Sequence, residues 1–158
     1  MFMKSLSKTI FFSALLSCIY CISYAQNAFY LRAGHRVSIV LLTELDSQQR
    51  PTSPSAVVAA DVYDDSGAVL LIRKGTSVLV QVQCRKASLS GDVGQISVLP
   101  ISTQAVNGRE ITFVAEPAVW EGAENEFFRS QKKVVVPPGT AFVASIANTY
   151  CFRQKNGE

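Results

Sequence analysis

A succession of short runs rich in valine and isoleucine, each closed off by turn residues, commits this chain to strands. The runs fall at residues 36–43, 56–63, 77–83, 95–103, 109–115, 132–136 and 141–150. Within 77–83 the pattern alternates, placing Val78, Val80 and Val82 on one face of an extended backbone. Short runs punctuated this often are the mark of a sandwich or barrel. Asp64-Asp65-Ser66-Gly67 joins two of them and Asn107-Gly108 another pair. Asn-Gly between apolar runs is a strong hairpin signal. Pro100, which cannot donate to a ladder, marks an edge or a bulge inside its run.

A local pattern recurs at Leu31-Arg-Ala-Gly34, Ile72-Arg-Lys-Gly75 and Val136-Pro-Pro-Gly139, each time just before a strand. A type II turn needs a positive φ at its third residue, which glycine adopts without steric cost. The spacing between copies is irregular, so Gly34, Gly75 and Gly139 mark a repeated way of entering a strand and not a solenoid. The expected fold is all-β: a small barrel or partly open sandwich of about seven or eight strands. One short helix is expected within residues 118–130, with Trp120, Phe127 and Phe128 as its apolar side. The stretch 48–55 reads as an exposed loop.

The N-terminus reads as a secretory signal. Lys4 and Lys8 precede an uncharged run over 10–22, and Ser23-Tyr24-Ala25 supplies a small-residue exit. That run falls short of the about 20 apolar residues that span a bilayer. Cleavage after Ala25 leaves residues 26–158 as a single domain; lipidation at Cys18 and an uncleaved anchor are the alternatives. Loss of Lys4 and Lys8 brings the chain close to neutrality, which removes the electrostatic case for nucleic-acid binding. Export would place Cys84 and Cys151 in an oxidising compartment, where they either form a disulfide or remain as two buried thiols.

The stretch from Asp61-Val-Tyr-Asp through Leu71-Ile-Arg-Lys-Gly75-Thr-Ser-Val78 resembles the β-barrel domain of the conjugal-transfer and type IV secretion channel scaffold family. Leu31-Arg-Ala-Gly34, Gly94-Gln-Ile-Ser-Val98, Val106-Asn-Gly-Arg-Glu-Ile-Thr-Phe113 and residues 134–144 extend the similarity in order along the chain. Arg32 and Arg73 stand where that family has proline. The stretch between Glu116 and Lys132 has no room for its two-helix outer-membrane insertion. The resemblance implies a barrel in the cell envelope, without the parts that build a channel.

No credible active site emerges. His35 is the single histidine and follows a turn glycine, so it lacks the companions that a zinc site or a nucleophilic triad requires. Asp61, Asp64 and Asp65 do not follow a calcium-loop spacing, and aspartates at a hairpin have a role in backbone hydrogen bonding. Glu121, Glu124 and Glu126 read as a solvated face. Cys84 beside Arg85 and Lys86 reads as a strand-end thiol. No cofactor or metal is expected. Trp120, Phe127 and Phe128 either cap one end of the barrel or dock a partner, aromatics being enriched at interface centres. The function expected is non-enzymatic recognition of another envelope protein. A secreted hydrolase using Glu121, Glu124 or Asp61, and a small outer-membrane barrel, are the rival readings.

Overall fold

The structure, a computed structural model, describes residues 28–49, 53–88, 92–122 and 133–153. They form β1 (Ala28–Leu31), β2 (Arg36–Leu41), β3 (Leu45–Asp46), β4 (Ala56–Val58), β5 (Val62–Tyr63), β6 (Leu70–Ile72) and β7 (Ser77–Arg85). Then come β8 (Gln95–Gln104), β9 (Glu110–Val114), β10 (Ala118–Glu121), β11 (Val135–Val136), β12 (Ala141–Ile146) and β13 (Tyr150–Arg153). The described residues fall into two units, one of residues 31–150 and one of residues 28–30 with 151–153. β1 and β13 pair as a separate two-stranded sheet.

Residues 31–150 hold a closed barrel. The order β8-β7-β4-β2-β12-β9 returns to β8, and β10 is added to β8 outside the ring. Val37, Ile39 and Leu41 of β2 point inward with Val58, Val78, Ile96, Val98, Ile111, Ala144 and Ile146, all buried. A barrel this narrow has an interior filled by side chains. Each fully buried valine, leucine or isoleucine contributes about 1.5–3 kcal/mol relative to exposure.

The repeated glycine turns are built alike. Gly34, Gly75 and Gly139 have φ of 84°, 83° and 88°. The turns close through His35 N–H to Arg32 C=O, Thr76 N–H to Arg73 C=O and Thr140 N–H to Pro137 C=O. The glycine N–H groups then donate, each at 2.8 Å, to the carbonyls of Ile146, Val58 and Leu41. Those three residues donate back to the carbonyls of His35, Thr76 and Thr140. Each turn thus clamps its new strand to the end of a neighbour already in the ring.

Pro100 sits at a bulge. Leu79 faces Ser102 but Val80 faces Pro100, leaving Ile101 as the extra residue on β8. There the outer edge of β8 passes from β10, which covers Gln95–Val98, to β9, which covers Ser102–Gln104. A residue without an N–H fits where no strand asks for one.

Of the two architectures expected, the structure has the barrel: a closed ring of six strands with a seventh, β10, added to it. Two expectations need correction. Residues 118–121 are a strand and not a helix: Ala118 and Trp120 are half-buried while Val119 and Glu121 are exposed, an alternation that suits the edge of β8. Among the described residues there is no helix. The 48–55 loop is not wholly exposed at its start, since Gln48 is half-buried and its N–H donates to the Asp46 carboxylate at 2.9 Å.

Candidate functional site

β9 joins the two sides of the barrel but not along its full length. Ser102–Gln104 of β8 pair with Glu110–Thr112, whereas Phe113 and Val114 pair with Ile146 and Ser145 of β12. The chain then crosses back through Ala115-Glu116-Pro117, and Ala118 pairs with Val98. Beyond that crossing β10 stays on β8 while the first half of β12 stays on β2. Among the described residues the ring is therefore zipped at one end, while at the other β10 and the first half of β12 are not paired with each other and leave a parting. Pro117 helps to hold the parting, because it brings no N–H to the ladder.

The open edges follow from the register. Gly122 N–H donates to Gly94 C=O at 3.0 Å, so alternate residues Trp120 and Ala118 also face β8 with their backbone groups. The N–H and C=O groups of Val119 and Glu121 then point the other way, and among the described residues no strand meets them. On the opposite lip, Leu41 N–H reaches Thr140 C=O and Ile146 N–H reaches His35 C=O. Ala141 and Val143 accordingly turn their backbone groups toward the parting.

Trp120 fills the parting from inside. Its register partner Ile96 is fully buried, so both point to the barrel interior. The indole meets the Phe142 ring edge-on, centroids 6.5 Å apart and planes at 86°, a favoured aromatic geometry. Outside, Val119 and Val143 are 49% and 45% exposed. The Glu121 carboxylate accepts a hydrogen bond from Gln95 Nε2 at 2.6 Å. Trp120 thus lies half-buried at the barrel end, on a strand whose outer edge no strand among the described residues covers. Phe142 was not legible as its companion, since the two are brought together only by the β9 crossing. Phe127, Phe128, Glu124, Glu126 and Cys18 lie outside the described residues.

The other candidates carry structural duties. Asp64 is buried, and its carboxylate accepts Ser66 Oγ at 2.5 Å and the N–H groups of Ala68 and Val69 at 2.9 and 2.8 Å. The Ser66 hydroxyl and those amides hold the carboxyl below its ordinary range. Asp61 accepts the Lys74 N–H at 2.7 Å, bracing the Gly75 turn. Asp65 pairs with Arg32 at 2.6 Å across a shallow depression that His35 also lines. Asp46 is held low first by the Gln48 N–H and further by Lys133, against the effect of burial.

Cys84 lies on β7 and Cys151, which is exposed, on β13. Cys84 lies opposite Ile96 in the β7–β8 register and is only half-buried. Burial pushes its thiol up, and the negative charge of Asp46 adds to the effect. Such a thiol yields less of the nucleophilic thiolate than a solvent-exposed one.

No protein-family model matches the chain, and no curated protein does.

Proposed function

We propose that this chain is a non-enzymatic binding or assembly module of the cell envelope, exported by its N-terminal segment and working through the Trp120 end of its barrel. The observation that carries the reading is the parted barrel end. A fold that closes its ring without β10 nonetheless adds that strand, and no strand among the described residues covers its outer edge beside a half-buried tryptophan. Short open edges and aromatic anchors are features of recognition surfaces.

The inward placement of the apolar side chains supports this reading over an outer-membrane barrel, whose apolar band faces outward. The engagement of Asp61 by the Lys74 N–H and of Asp64 by amides of its own hairpin supports it over a carboxylate hydrolase. The sequence resemblance to the channel scaffold's barrel domain gives the sharper form: an accessory of a conjugation or type IV secretion apparatus, at the periplasmic side or associated with the outer membrane. Affinity capture of the protein from its own envelope after mild crosslinking tests this. Recovery of channel components that is lost in Trp120→Ala is the expected result; a protein with no specific partner would overturn it.

A further inference from the structure

Both lips of the parted end turn backbone hydrogen-bonding groups toward it that meet no strand among the described residues, and that chemistry specifies its complement. A side-chain pocket would leave the N–H and C=O groups of Val119 and Glu121 facing water, whereas an extended backbone would satisfy them in turn. The lips also share a charge bias. Across residues 115–122 and 141–145 the only charged side chains are Glu116 and Glu121, both exposed.

We propose that the parting takes up one extended segment of a partner protein as an added strand antiparallel to β10, with alternating apolar side chains and a lysine or arginine beside Glu121. The segment exchanges hydrogen bonds with Val119 and Glu121. Its inward side chains lie against Trp120 and Phe142, and its outward apolar ones between Val119 and Val143. A cation beside Glu121 adds a cross-strand pair of opposite charge. The inference rests on the recognition function proposed above and states its mode.

Random twelve-residue peptides displayed on phage and panned against the full protein test it. The expected winners alternate apolar residues and carry lysine or arginine. Their binding slows hydrogen exchange at the Val119 and Glu121 amides by roughly tenfold or more. Val119→Pro removes one outward donor at an edge, a position that tolerates proline. It is expected to weaken binding about tenfold, some 1.4 kcal/mol, with the melting temperature and Trp120 fluorescence retained. Glu121→Lys is expected to shift selection to acidic peptides.

No enriched peptide, binding that survives Val119→Pro, or a dimer of this chain that Val119→Pro dissolves would each overturn the strand mode. Envelope capture separates this failure from that of the broader reading. Capture lost in Trp120→Ala but kept in Val119→Pro removes the added strand and retains the recognition module. Capture indifferent to both removes both.

Discussion

The phenol oxygen of Tyr150 accepts the backbone N–H of Thr112 at 2.8 Å, standing in for a strand carbonyl that β9 lacks at that point. The Thr112 hydroxyl lies at the same distance from it, and Arg109 sits 5.1 Å over the ring. Burial raises the phenol's pKa, but the bonds with Thr112 and Asn148 and the charge of Arg109 outweigh it, leaving it lowered. Tyr150→Phe keeps the ring and strands a ladder donor. The expected cost is about 1–3 kcal/mol, read by urea unfolding, with faster exchange of the Thr112 amide. An unchanged midpoint would show that water replaces the phenol without loss.

Gly75→Ala tests the turn clamp. A Cβ at Gly75 meets nothing within 4 Å, so any penalty comes from its φ of +83° and not from a clash. The expected loss is about 1–2 kcal/mol, and D-alanine at the same position, introduced by chemical ligation, should restore stability. Equal losses with both alanines would locate the cost elsewhere.

Acid should destabilise the protein through Asp64 and Asp46. Both carboxyls are held low when folded, so as pH falls the unfolded chain binds protons first. Stability is then full above the ordinary carboxylate range and is lost as pH drops through the folded values. Asp64→Asn, melted from pH 7 to pH 3, should show a shallower decline than the parent. Parallel curves would remove Asp64 as a contributor.

Thiol labelling should order the cysteines. Cys151 is exposed, whereas the Cys84 thiol is half-buried and raised in pKa. Iodoacetamide at neutral pH, followed by peptide mass mapping of unreduced protein, should modify Cys151 first and Cys84 several times more slowly. A protein that labels at neither site until reduced would carry the disulfide after all.

Truncation of the core gives a reference. Ile39 is fully buried on β2, between β4 and β12. Ile39→Ala should cost about 2–5 kcal/mol by equilibrium unfolding. A smaller value would mean that the interior collapses to fill the space.

The sequence made local structure legible where one residue type carries the reason. Gly34, Gly75 and Gly139 announced their turns, Pro100 its bulge, and Asp64 its hairpin, because each depends on neighbours within a few positions. What stayed hidden depends on distant pairing. The aromatic residues at 118–130 suggested a helix, yet Trp120 lies in a strand because the first half of β8 had an edge to offer it. The contact of Trp120 with Phe142 and the reach of Tyr150 to Thr112 likewise exist only once the ring has closed.

The position of β2 between β4 and β12 has a consequence for delivery. One neighbour follows β2 closely in the chain, but Val40 must wait for Ala141. A polypeptide threaded across a membrane from its N-terminus would expose that edge until almost the whole barrel sequence had emerged. Long-range pairings of this kind place folding in the milliseconds-to-seconds range, and unfinished strand edges invite aggregation. Until its final staves arrive, the Val37, Ile39 and Leu41 face is an adhesive surface in need of guarding, and the interval before Ala141 pairs is when this protein is most vulnerable.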